Sequence, residues 1–298
     1  MLATASIVLA LVLNPVKQDR LAGSSRRELA GWVQLTLAGK PEDIGYQLGY
    51  HGAAEIDDTH TVLKLQLKQS TGKDWNWFRD EAKKMFWDKL DAEYQAEIDG
   101  QVEGLRAKGY TYDRWDVLAF NGYIELEGYY LPWLNGKAST KEACSAFVAT
   151  GSATKDGKPV IGHNMWWDYL IGQRFNFALD IRPAKGNRIM MDALPGFIHS
   201  GTDFAITSGG LMICETTLPN FFGFDPEGVP EFARMRKATQ YANSLDEWVG
   251  LMKQGNNGGY ANTWLLADNK TGEIGRLQLG LKNVIFDKSK DGFYVGAN

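Results

Sequence analysis

The stretch Lys141-Glu142-Ala143-Cys144-Ser145-Ala146-Phe147-Val148-Ala149-Thr150-Gly151 decides how this chain is read. A polar approach, residues 136–142, gives way at Cys144 to a β-prone run. A turn near Asp156-Gly157 follows, and then a second run, Pro159-Val160-Ile161-Gly162-His163-Asn164-Met165. Two such runs around a short glycine-bearing turn predict an antiparallel hairpin. The hairpin returns the end of its second strand to the start of its first, so Cys144 and the pair His163-Asn164 are expected to be neighbours. A lone cysteine at a strand start more often packs than reacts. Here three features favour reactivity: an exposed linker that can be cut, the small residues Ser145 and Ala146 that let a substrate approach, and a proton-accepting neighbour.

The surroundings are those of an ordinary globular protein. The chain has 298 residues, of which 44% are hydrophobic and 23% charged, which fits one large domain or two small ones. A net charge of -4 gives no basic face for nucleic acid. Ten tryptophans suggest ring-lined cavities. The two cysteines cannot make a disulfide framework, and Cys214, in Gly-Leu-Met-Ile-Cys, reads as a buried thiol. No pair of histidines has metal-ligand spacing and there is no Cys-x-x-Cys, so neither a metal nor a cofactor is expected.

The run Ile7-Val8-Leu9-Ala10-Leu11-Val12-Leu13 is too short to span a membrane but has the length of a signal core. No lysine or arginine precedes it. Residues 1–25 therefore read as a leader of an exported protein (periplasmic, extracellular or lysosome-like), or the protein is cytoplasmic if that run is not a signal core.

Residues 32–37 alternate like a strand and residues 41–52 read as a short helix. Apolar residues at three- and four-residue spacing predict helix over 75–108 and again over 114–129. Gly100 and Gly104 mark a kink or a close helix contact. Short β-rich runs follow Ala143, at 145–150, 159–162, 175–182, 188–192, 202–207, 211–215, 262–268 and 273–279. An amphipathic helical region covers 230–254. The pattern is that of an α+β fold. Residues 26–143 form a mostly helical segment and residues 144–298 a sheet region. The last seven residues read as stopping within a strand or at its junction with a loop, as if the region were truncated.

Two further motifs can serve acyl chemistry. Glu215-Thr216-Thr217 closes an apolar run with two hydroxyls. Asn262, after Asn257-Gly258-Gly259-Tyr260-Ala261, stands at the mouth of a strand, where its amide can meet a developing oxyanion.

The order of these pieces resembles the N-terminal nucleophile (Ntn) hydrolases, most closely the phospholipase B-like family. The pieces are Cys144-Ser145-Ala146, Gly162-His163-Asn164-Met165-Trp166, Leu194-Pro195-Gly196, the turn at 200–204, Glu215-Thr216-Thr217, residues 234–248 and Gly259-Tyr260-Ala261-Asn262-Thr263-Trp264. Acyl-coenzyme A:penicillin-type acyltransferases (peptidase family C45) and choloylglycine hydrolases are related. The resemblance implies a four-layer αββα sandwich and self-cleavage between Ala143 and Cys144. The freed α-amine of Cys144 then acts as base for its own thiol; model α-amines titrate near pH 7.7–8.0. It also implies that Asn262 and a threonine of Thr216-Thr217 stabilise the oxyanion, while His163 and Asn164 orient the amine and thiol. His163 stands where the penicillin and choloylglycine branches carry arginine. Asn164 stands where the phospholipase B-like branch usually has aspartate. Family members continue past the position of Asn298.

The function expected is hydrolysis of an amide or ester bond in a lipid or other acylated amphiphile, through an acyl-thioester on Cys144. Trp166, Trp167, Phe197 and Trp264 are candidates to line the substrate site. The alternatives are a small-molecule amidase or acyltransferase of the penicillin type, and a non-catalytic lipid-binding relative.

Overall fold

The structure, a computed structural model, describes residues 19–139 and 144–297. The signal-like run and the Ala143 side of the expected cleavage site lie outside the described residues.

Strands β1 (Ser25–Leu29) and β2 (Trp32–Gly39) form a hairpin, followed by helices α1 (Pro41–His51), α2 (Ala53–Thr71), α3 (Trp75–Met85), α4 (Ala92–Ala107) and α5 (Arg114–Glu125). A π-helical turn, Leu126–Tyr130, leads into the short α6 (Leu131–Leu134). Then come β3 (Cys144–Gly151), β4 (Gly157–Met165), α7 (Tyr169–Gly172), β5 (Phe177–Pro183), β6 (Ile189–Ala193), β7 (Ala205–Thr207) and β8 (Leu211–Thr217). Helices α8 (Glu231–Tyr241) and α9 (Leu245–Lys253) precede β9 (Asn262–Asp268), β10 (Glu273–Leu279), β11 (Val284–Ser289) and β12 (Gly292–Ala297). The fold is mixed α+β.

Nine strands make one sheet in the order β1-β2-β5-β6-β7-β8-β9-β10-β11, and β12-β3-β4 make a second. Among the described strands only β2–β5 is a parallel pair. Through it, the largely helical first part of the chain joins the same sheet as the later strands.

Two cores occupy opposite faces of the large sheet. Because side chains alternate along a strand, Leu211 and Ile213 of β8, with Trp264 and Leu266 of β9, enter the large core under the helices. Cys214 of β8 and Leu265 and Ala267 of β9 join Ala146, Val148 and Ile274 in a smaller core against the second sheet. Small residues bring these sheets close: a Cβ on Gly296 of β12 would stand 2.4 Å from Thr216 Oγ1.

Gly100 and Gly104 of α4 mark a close helix contact, as the sequence suggested. They face Gly45 and Gly49 of α1, and a Cβ at any of the four would lie within 2.2 Å of a carbonyl oxygen on the opposite helix. The helical pattern over 75–108 is interrupted by a 3₁₀ turn, Trp87–Lys89, between α3 and α4. Among the described residues no helix is long and apolar enough to cross a membrane.

Candidate active site

Strand β3 begins at Cys144 and pairs with β4 in the register Cys144↔Met165, Ser145↔Asn164, Ala146↔His163. Directly opposed residues share a face of the sheet. Cys144 and His163 therefore turn inward with Ala146, which lies in the inter-sheet core. Ser145 and Asn164 turn outward, and Asn164 is exposed. The hairpin thus delivers His163 to the cysteine, but not Asn164.

Glu215 completes the cluster. The Cys144 thiol faces Glu215 Oε1 at 3.8 Å. The sulfur, a ring nitrogen of His163 and a carboxylate oxygen of Glu215 all lie within 4.8 Å of one another. The His163 ring also meets the backbone carbonyl of Glu215. Cys144 is buried, Glu215 is 1% exposed and His163 is half-buried.

Burial sets the electrostatics. It pushes the Cys144 thiol up, and the neighbouring Glu215 charge adds to this. It holds His163 neutral by lowering its pKa to about 4. Burial, followed by repulsion from Asp203, raises Glu215 well above the carboxylate range. Burial likewise lifts Asp203 to about 7, against the hydrogen bond from Tyr260. The thiol therefore sits beside a carboxyl that holds its proton.

Thr217 and Asn262 are directly opposed across β8 and β9, and Glu215 pairs with Trp264. Period-two alternation puts Glu215, Thr217 and Asn262 on one face. Asn262 is fully buried, yet neither its Nδ2 nor its Oδ1 has a hydrogen-bond partner. A buried, unused amide costs about 1–3 kcal/mol, and such groups gather where a ligand or a transient charge will engage them. Thr216 faces the other way, against Gly296, so of the two threonines only Thr217 shares the face of Asn262.

The expected aromatic lining divides. Trp166 is 71% exposed and Trp167 packs at 5.5 Å from Phe175 near the surface. Phe197 and Trp264 are wholly buried. Phe197 stacks on His199 and meets Phe120, and Trp264 meets Trp248 edge-on. A cavity of about 770 Å³ lies elsewhere, lined by Trp133, Phe221, Phe222, Phe224 and Leu281. Phe221 approaches Tyr129 of the π-helical turn at 6.3 Å, and Tyr129 approaches Tyr260 at 5.6 Å.

Thiolate, imidazole and carboxylate are also donors that zinc accepts, so Cys144, His163 and Glu215 could bind a thiophilic cation.

Known sequences resemble this chain. A sequence model described as phospholipase B matches residues 53–280, more than half of the chain. The chain belongs to the phospholipase B family. Phospholipase B-like 1 of Homo sapiens is 23% identical over 285 residues, covering 84% of this chain and 50% of that protein. Phospholipase B-like 1 of Bos taurus is 22% identical over 262 residues, covering 76% and 48%. An uncharacterized protein of Archaeoglobus fulgidus is 26% identical over 263 residues, covering 82% and 42%. The chain spans half or less of the length of these phospholipase B relatives.

Sequence reasoning quoted Glu215 only as part of a motif and gave it no role. A signal was there: a carboxylate at the end of Leu-Met-Ile-Cys is a charge in an apolar strand, and glutamate is rarely fully buried unless paired. Asp203 and Tyr260 carried no comparable signal, because only the turn from β6 to β7 and the loop before β9 bring them to Glu215.

Proposed function

We propose that this member of the phospholipase B family is a self-processing cysteine hydrolase of the Ntn type, acting on an amide or ester of an acylated amphiphile. The observation that carries the reading is Cys144 at the first position of an inward-facing strand, 3.8 Å from Glu215, with His163 in the same cluster. The unpartnered amide of Asn262 supports an oxyanion role.

In the processing step the Cys144 thiol attacks the Ala143 carbonyl carbon. The peptide C–N bond breaks, the nitrogen gains a proton, and water hydrolyses the resulting thioester. Cys144 is left with a free α-amine. In turnover that amine takes the thiol proton and the sulfur attacks the substrate acyl carbon. The leaving alcohol or amine departs with the proton, and water releases the acid from the thioester. Asn262 and Thr217 stabilise the oxyanion of each tetrahedral intermediate. His163, held neutral, orients the amine and thiol. Glu215 donates to sulfur or amine without placing a full negative charge beside the thiolate.

An acyl chain is the substrate part that suits the cavity of Trp133, Phe221, Phe222, Phe224 and Leu281, whose rings lead through Tyr129 to Tyr260. Helices, the large sheet and the second sheet supply three layers of an αββα sandwich. The outer face of the β12-β3-β4 sheet carries exposed Phe147, Val160, Phe293 and Val295, apolar residues that a second helical layer would cover.

Intact mass spectrometry tests the proposal. Active protein should consist of two pieces divided between Ala143 and Cys144, and Cys144→Ala should remain whole and inert. Uncut, fully active protein would overturn the mechanism.

A further inference from the structure

A second polar cluster lies behind the thiol site. His199 and Asp203 come from the turn between β6 and β7, and Glu231 is the first residue of α8. Their ligand atoms lie within 4.8 Å of one another, and the three residues are 2%, 0% and 2% exposed. We propose that His199, Asp203 and Glu231 hold one divalent transition cation, distinct from the Cys144 cluster.

The first argument is unmet hydrogen bonding. Both ring nitrogens of His199, both carboxylate oxygens of Asp203 and Oε1 of Glu231 lack a hydrogen bond of good geometry, although the Tyr260 hydroxyl approaches Asp203. Leaving a buried polar group unsatisfied costs its full desolvation penalty. One ligand atom from each residue, all within 4.8 Å of one another, defines a place built for something that accepts lone pairs from all three side chains. A cation does so; apolar filling does not.

Charge is the second argument. Glu125 accepts hydrogen bonds from the backbone N–H groups of Glu231 and Phe232 and from the Asn257 amide. Arg234 is the buried cation beside it, and it acts on both Glu125 and Glu231. With Glu125, Asp203 and Glu231 ionised against Arg234, the cluster carries two uncompensated negative charges. A divalent ion cancels them, where otherwise protons must.

The donor set is the third. One imidazole and two carboxylates suit zinc, manganese or iron(II) rather than the all-oxygen shells of calcium or magnesium. Burial keeps His199 neutral, the form that ligates. Its ring also faces the backbone of Asn121, short of hydrogen-bond geometry. A backbone carbonyl behind a ligating histidine is the usual outer-shell partner that fixes its tautomer.

The site stands whether or not Cys144 is a nucleophile, and the test separates the two. The purified full chain, exchanged into metal-free buffer, is analysed for zinc, manganese and iron, and its bound metal is examined by X-ray absorption. About one equivalent per chain is expected, with nitrogen and oxygen ligands only. His199→Ala and Asp203→Asn should each lower the content at least about tenfold, while Cys144→Ala leaves it unchanged. Wild-type protein that remains metal-free after refolding with excess zinc, manganese or iron(II) would overturn the proposal. So would a sulfur ligand at about 2.3 Å, which would place the ion at Cys144 instead. Because wild-type content and ligand type already decide the matter, a variant that fails to fold does not rescue the idea.

Discussion

The two faces of the large sheet are built differently. Under the helices lies an extensive core of large side chains, with Trp248, Tyr94, Phe78, Phe86 and Phe232 fully buried. Against the second sheet lies a core of Ala146, Val148, Cys214, Leu265, Ala267 and Ile274. The first face derives its stability from apolar area. The second brings two backbones close, and at its end Cys144 reaches Glu215, which stands with Thr217 and the unpartnered amide of Asn262 on the helix-covered face, at the cost in stability that functional groups commonly carry.

If that contrast holds, Cys144→Ala has the largest effect on chemistry and a small one on folding. It removes one sulfur whose neighbours are the polar groups of Glu215 and His163. Turnover and self-cleavage should vanish while the thermal midpoint moves by only a few degrees, about 1 kcal/mol at this size. A variant that is still cut, followed by intact mass, would remove Cys144 from the chemistry.

Asn262→Ala comes next. Deleting one oxyanion donor should lower kcat by about 10²–10³, with the fold retained because the amide makes no hydrogen bond to lose. Steady-state kinetics on fully cleaved protein measure this. A loss under about tenfold would make Asn262 an ordinary strand residue. In the same assay His163→Ala should weaken turnover without abolishing it. Complete loss would point to a cysteine–histidine dyad in place of the α-amine.

The helical face is broken in the opposite way. Gly45→Ala puts a Cβ 1.8 Å from the Glu97 carbonyl oxygen on α4. Pushing the helices apart costs about 1–3 kcal/mol, while replacing a helical glycine by alanine returns at most about 1 kcal/mol. Chemical denaturation should show a net loss of stability with kcat per folded molecule unchanged. A stabilised variant would mean that α1 and α4 do not approach as described.

The same contrast governs what could be read in advance. The spans of β9 and β10 and the helix from Pro41 follow from local periodicity, and local periodicity is what a sequence displays. The 19-residue helix α2 was missed because its buried residues Ile56, Leu63 and Leu67 are widely separated by polar ones. Strands β1 and β11 were missed because few of their residues are buried. At the site, the hairpin made the Cys144–His163 neighbourhood legible. The outward turn of Asn164 follows from the one-residue register that a coarse reading leaves open. The electrostatic coupling of Glu215 to Asp203 links β8 to a loop, and no spacing rule announces it.

The smallest effect is a pH dependence on the helical face. His60 is 2% exposed, caged by Trp75 at 4.6 Å and Tyr112 at 4.8 Å, and neither ring nitrogen has a partner. Burial, reinforced by Lys64 and Arg79, lowers its pKa from 6.5 to about 3. Between those values the unfolded chain binds a proton that the folded chain refuses. The contribution of His60 to stability is therefore present above about pH 6.5 and is lost as pH falls toward 3. From about pH 7.5 to about pH 5 the loss is about 2 kcal/mol. His60→Phe retains an aromatic ring in the cage and removes the titration. Urea midpoints for the variant should fall less on acidification than those of the parent, by roughly that amount. Parallel curves for the two proteins would mean that His60 is protonated in the fold, and that this cage opens to water.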